Sequence, residues 1–137
     1  KELHLFQIWV IPNKKSVKPY YAKKQISKNS NELNLLISSE NKDDTLKIHQ
    51  DAKIYVGIYD KGQQKTIPAN TERAYWLQMI SGSLNINNQK LIKGDGAAVE
   101  HEKVLNILKH YFNRYHIFKT TNLVPFCSAK SFLFTVK

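Results

Sequence analysis

At 137 residues the chain has the length of one domain and can bury roughly two thirds of its unfolded surface in a single core, which leaves no room for a second full domain. A hydrophobic content of 42% excludes a disordered polymer, while the longest apolar stretches, such as Leu3 to Pro12, are about ten residues against the ~20 a membrane-spanning helix needs. The 21 Lys and Arg against 11 Asp and Glu leave a net charge of +10, which directs the surface toward anions. Those lysines recur from Lys1 to Lys137 with only short pairs at Lys14-Lys15 and Lys23-Lys24, the distribution of a solvated basic surface rather than of a nucleic-acid footprint. The lone Cys127 supplies neither a disulfide framework nor a Cys-based zinc site and fits a reducing compartment. Its Pro125-Phe126 neighbours suit a buried packing thiol. No secretory signal opens the sequence, which begins at Lys1 instead of Met. The expectation is a cytoplasmic protein that is either processed or a piece of something longer.

In chain order, Leu3 to Ile8 and Leu33 to Ser38 alternate with the period of strands. Leu46 to Tyr59 reads as one long strand or two short ones with a bend, ending at the turn Asp60-Lys61-Gly62. Arg73 to Ile80, Leu84 to Ile86 and Lys90 to Ile92 come next as strands, separated by Ser81-Gly82-Ser83 and the tight Asn87-Asn88 turn and closed by Lys93-Gly94-Asp95-Gly96. Strands at this spacing predict a sandwich or small barrel. Leu108, Tyr111, Phe112, Tyr115 and Phe118 fall at helical spacing, which predicts a short helix near 108–118, although a bent strand rich in Tyr and Phe suits the same residues. Ser131 to Val136 closes the chain as a strand.

Taken together, Leu3 to Trp9 with Pro12, Pro19 and Tyr20-Tyr21, then His49-Gln50-Asp51-Ala52, Trp76-Leu77-Gln78, Gly82, Leu84-Asn85-Ile86 and Gly94-Asp95-Gly96-Ala97-Ala98 resemble, in order and spacing, the C-terminal cupin half of pirin-family bicupins, a family that includes quercetin 2,3-dioxygenases. The resemblance runs from about Leu3 to Ile107 and returns at Ser131 to Val136. It implies a mostly β, cupin-type antiparallel barrel or sandwich of jelly-roll kind, forming one domain over 1–137, with 1–26 similar to the segment bridging the two cupins and 32–137 to the C-terminal barrel. It also implies that a divalent metal (iron, nickel, copper or manganese), held by three His and one Glu, belongs to the N-terminal half of a full-length member, upstream of Leu3. The stretch from Leu108 to Lys130 departs from the family in being longer and more basic.

A metal site in this half would need His-x-His on one strand, a nearby carboxylate and a later His, so that the donors share a face. The segment Thr71 to Trp76, where the pair would fall, has no His, and His101 between Glu100 and Glu102 supplies at most one ligand, since strand neighbours point oppositely. His49 and Asp51 share a parity and form a weak acid–base candidate, but with no nucleophile nearby in sequence a hydrogen-bonded pair that fixes a strand bend is the favoured reading. His110 and His116, six apart, fail the spacing of a helical ligand pair. Tyr55, Arg73, Tyr75, Trp76 and Gln78 are candidates to line a cavity for a small aromatic ligand such as a flavonoid, though core filling accounts for the same rings.

The expected function is a noncatalytic packing, ligand- or partner-binding domain with no cofactor of its own, not an enzyme as a single chain, associated with a separate N-terminal cupin or with a second copy as a homodimer. One alternative is part of a metal-dependent quercetin 2,3-dioxygenase whose metal lies in the N-terminal cupin. The other is a basic regulatory module binding nucleic acid or a protein, with Lys109, His110, Arg114, Tyr115 and Lys119 as its contact residues.

Overall fold

The computed structural model describes residues 8, 10–26, 31–40, 44–109 and 113–120. Among them are ten strands and no helix: β1 (Glu32–Ser38), β2 (Leu46–Lys47), β3 (Ala52–Tyr59), β4 (Gln64–Pro68), β5 (Ala74–Ser81), β6 (Ser83–Ile86), β7 (Gln89–Ile92), β8 (Gly96–Val99), β9 (Val104–Lys109) and β10 (Asn113–Thr120). They form a six-stranded sheet in the order β2-β1-β3-β10-β5-β8 and a four-stranded sheet in the order β4-β9-β6-β7. All pairings are antiparallel except β1 with β2. The strands expected at Leu3 to Ile8 and Ser131 to Val136, apart from Ile8 itself, lie outside the described residues, as does Cys127.

Strand β3 shows why the arrangement holds. Ile54, Val56 and Ile58 face one side and Tyr55 and Tyr59 the other, so the strand is buried on both faces and reads as a near-continuous apolar run. Its inner face joins Tyr75, Leu77 and Met79 of β5, Leu84 and Ile86 of β6, and Leu105 and Ile107 of β9 in the core between the sheets. Its outer face joins Leu36 and Ile37 in a second cluster, covered by Ile26 of the N-terminal segment and by Leu46 and Ile48. A register shift between Leu35 and Ile37 makes this possible: Leu35 pairs with Tyr55 but Ile37 with Ile54, so one extra residue moves β1 from the inner side chains to the outer ones.

The stretch Leu46 to Tyr59 takes the two-strand option, with the bend at Ile48 to Asp51. The helix expected near 108–118 is not formed. That stretch holds the end of β9 and most of β10. Asn113 to Thr120 pairs with β3 along its whole length and with β5 from Arg114 on, so both neighbours gain ladder partners for their backbone groups. Tyr, Ile and Phe suit such a position, and non-local pairing overrides a helical spacing that the same residues also satisfy.

Asn87 and Asn88 have φ of 43° and 69°, the left-handed pair of a two-residue hairpin turn, and they close β6 on β7 with Ile86 opposite Gln89. The turn between β7 and β8 is docked onto β5: Met79 N donates to Asp95 O (2.8 Å), Gly94 N to Met79 O (3.0 Å), and Gln78 Nε2 to both Gly94 O and Asp95 O (3.0 Å each). Gly94 sits at φ 94° with open space around a would-be Cβ. Gly94→Ala therefore carries conformational strain without a clash, and urea denaturation is expected to show a loss of about 1–2 kcal/mol.

Candidate functional site

The interior between the sheets is where a barrel of this kind would hold a ligand, and here it is filled. The inward row of β5 is Tyr75, Leu77 and Met79, all at most 5% exposed, and Leu84 and Leu105 meet it from the opposite sheet with no more than 1% exposure. Asn70 N donates to the Tyr75 hydroxyl at 2.7 Å, which ties that ring to the loop preceding β5. Among the described residues no three His, Cys, Asp or Glu side chains come together in a group able to hold a metal. His101 stands exposed at a bend between β8 and β9, with φ 60° and exposed Glu100 and Glu102 beside it.

The aromatic candidates separate onto two faces. Tyr55 and Tyr75 belong to the inner core. Trp76 and Gln78 alternate with Tyr75 and Leu77 on β5 and lie on the other face, where Trp76 packs over Gly96 and Gln78 holds the Gly94-Asp95 turn. Arg73 is turned to Asp51 instead, with Nη1 3.4 Å from Oδ1. The Asp51 side chain is 46% exposed, so this ion pair contributes at most about 1 kcal/mol.

His49, Gln50 and Asp51 form the bend between β2 and β3, and the bend works as an anchor. Asn13 N donates to His49 O (2.7 Å) and Gln50 Nε2 to Ile11 O (2.8 Å), while Lys24 pairs with Asp44 at 2.9 Å, so the segment from Val10 to Ile26 is fastened to the six-stranded sheet. That segment exposes Ile11 (82%), Tyr20 (57%) and Tyr21 (87%), three large apolar side chains on one short stretch.

The basic candidates do not form one row. Lys109 ends β9 in the small sheet, His110 lies outside the described residues, and Arg114, Tyr115 and Lys119 are spread along β10 opposite Ile58, Gly57 and Lys53.

The outward face of the four-stranded sheet carries a groove that no sequence motif announces. It encloses about 220 Å³ and is lined by Gln64, Thr66, Asn85, Asn88, Asn106 and Leu108, with Lys65 and Ile107 also contributing. Its middle is one cross-strand row, because Gln64 pairs with Leu108 and Leu108 with Asn85. The only local signal for it is the Asn87-Asn88 turn.

A mostly antiparallel β domain of two packed sheets with a filled interior is an architecture of cupin type. The profile of the family described as the quercetinase C-terminal cupin domain matches residues 35–111, and the chain belongs to that family, the C-terminal cupin of the pirins. A Pasteurella multocida protein provisionally named a quercetin 2,3-dioxygenase is 37% identical over 108 residues, covering 77% of this chain and 46% of its own length. The quercetin 2,3-dioxygenase of Escherichia coli K12 is 31% identical over 107 residues, covering 78% and 46%. The bacterial pirin YhhW of Escherichia coli, in its nickel(II) complex, superposes with a TM-score of 0.79 at 25% identity over 84% of this chain and 49% of that one, which establishes the cupin fold. The chain spans about half the length of the curated relatives it matches.

Proposed function

We propose that the chain serves as the metal-free, noncatalytic C-terminal half of a pirin-type bicupin, packing against a metal-bearing N-terminal cupin or, in its absence, against a second copy of itself. The observation that supports this reading is the inward row of β5, where Tyr75, Leu77 and Met79 fill the interior between the sheets with core side chains. The exposed Ile11, Tyr20 and Tyr21 support a covering partner, since apolar side chains clustered on one segment mark an interaction surface. Joined to the other half, the whole is a metal-dependent dioxygenase acting on a flavonol, a reading supported by the name of the Escherichia coli relative. In that assembly this half packs and the other performs the chemistry.

Elemental analysis of the purified chain for iron, nickel, copper, manganese and zinc is expected to find less than about a tenth of an equivalent, since tight sites need three or four converging donors. Near one equivalent would overturn the metal-free reading. Sedimentation equilibrium is expected to show a dimer of the chain alone, and a monomer at high concentration would argue against self-association.

A further inference from the structure

The segment from Val10 to Ile26 carries more than the apolar side chains that a covering cupin would use. It holds five lysines and no Asp or Glu. Lys24 is turned to Asp44, whereas Lys14, Lys15, Lys18 and Lys23 all stand exposed, on the same stretch as the exposed Ile11, Tyr20 and Tyr21. Cations interleaved with large apolar side chains on one exposed stretch are the combination that anionic interfaces attract.

The segment is a strap fastened at both ends. At one end the His49-Gln50 bend holds the backbone of Ile11 and Asn13, and at the other Lys24 pairs with Asp44 while Ile26 packs against the outer cluster of the six-stranded sheet. Residues 14–23 are therefore presented from a fixed base, which lowers the ordering cost of docking. They lie in no helix or strand, so their backbone amides need water and must stay at the hydrated headgroup level, with only side chains reaching deeper.

We propose that the strap docks the chain on an anionic lipid bilayer, with Lys14, Lys15, Lys18 and Lys23 at the charged headgroups and Ile11, Tyr20 and Tyr21 dipping into the interface. An apolar protein face would cover the three apolar side chains but would strip water from the lysines among them without offering counter-charges. A single-stranded nucleic acid would meet the lysines and stack on the tyrosines, and it would give Ile11 nothing. The bilayer interface takes aliphatic side chains and tyrosines alike. Docking goes beyond the packing role and competes with it for one strap, so a copy whose strap is covered by another cupin does not dock.

Cosedimentation of the full chain with vesicles of phosphatidylcholine containing about 30% phosphatidylglycerol tests this, with pure phosphatidylcholine as reference. Binding to the anionic vesicles, weakened by salt at about 0.5 M, is the expected result. Each lysine at an anionic surface strengthens binding about fivefold, so changing Lys14, Lys15, Lys18 and Lys23 to Gln is expected to weaken it at least about a hundredfold. The same charge removed from the body, with Lys47, Lys65, Lys90 and Lys93 changed to Gln, is expected to weaken it less than about threefold. Ile11→Ser with Tyr21→Ser, two exposed positions at which folding is not at stake, is expected to weaken it about tenfold. Equal losses in the two lysine variants would mean attraction by the general net charge and would overturn the proposal, as would unchanged binding in the Ile11 and Tyr21 variant. Tighter binding of an oligothymidylate than of the vesicles would assign the strap to single-stranded nucleic acid instead. A chain that sediments as a dimer and leaves the anionic vesicles unbound would sink docking alone and keep the packing role; vesicle binding by a monomer would support docking and count against self-association.

Discussion

Leu77→Ala is expected to lower the stability of the domain by about 2–5 kcal/mol, the range for truncating a fully buried leucine whose surroundings cannot close the cavity. Leu77 is 1% exposed at the centre of β5, in a core shared with Met79, Leu84 and Leu105. A loss near 3 kcal/mol is a large part of the ~5–15 kcal/mol that holds a domain folded, and should lower the melting temperature by about 10–15 °C. Calorimetry measures it directly, and Ile92→Ala provides the contrast: Ile92 is 53% exposed at the edge of the small sheet, so that change should fall within about 0.5 kcal/mol. A small effect for Leu77→Ala would mean that the interior is loosely packed and able to admit a ligand, which would weaken the argument for a closed, noncatalytic barrel.

The parts of this fold that are legible in the sequence are those decided locally. The alternation of β1 and β5 and the Asn87-Asn88 turn are set by neighbouring residues, and the same local order carries the resemblance to a pirin C-terminal cupin. Three strands leave little local trace. β4 ends in Pro68 and carries little apolar content, and β8 is Gly-Ala-Ala-Val, so neither has the contrast between faces that makes a strand visible. β9 runs without a break signal toward β10, because Leu108, Tyr111, Phe112, Tyr115 and Phe118 satisfy a helical period, and only the gap between β3 and β5 decides otherwise. The candidate sites divide in the same way. Tyr75 and Trp76 adjoin in sequence, which suggests one common lining, but adjacency in a strand places them on opposite faces. Arg73 and Asp51, 22 residues apart, meet through the approach of two loops that neither segment specifies alone. The amide groove is assembled from β4, β6 and β9, so its members appear in the sequence as unrelated polar residues.

Gly96→Ala is expected to cost about 1–3 kcal/mol, for a reason opposite to that at Gly94. A Cβ at Gly96 would lie no more than 3.0 Å from Cζ2, Cη2 and Cε2 of Trp76, distances at which something must shift. The indole reaches Gly96 diagonally, since Trp76 pairs with Ala98 and Gln78 with Gly96, and an aromatic ring laid over a strand glycine covers backbone that has no side chain of its own. Rigid on two torsions, the ring must swing away from β8 or push that edge strand off β5. A double-mutant cycle separates this from ordinary strand propensity. With Trp76→Leu in place the clash is gone, and Gly96→Ala should become neutral or slightly stabilising because alanine has less backbone entropy to lose. An equal cost in both backgrounds would place the effect in the backbone and not in the ring. The expected coupling is at least about 1 kcal/mol, within the range for side chains in contact. Its size would measure how firmly β8 is fastened at the edge of the six-stranded sheet, where the chain turns toward β9 and the groove.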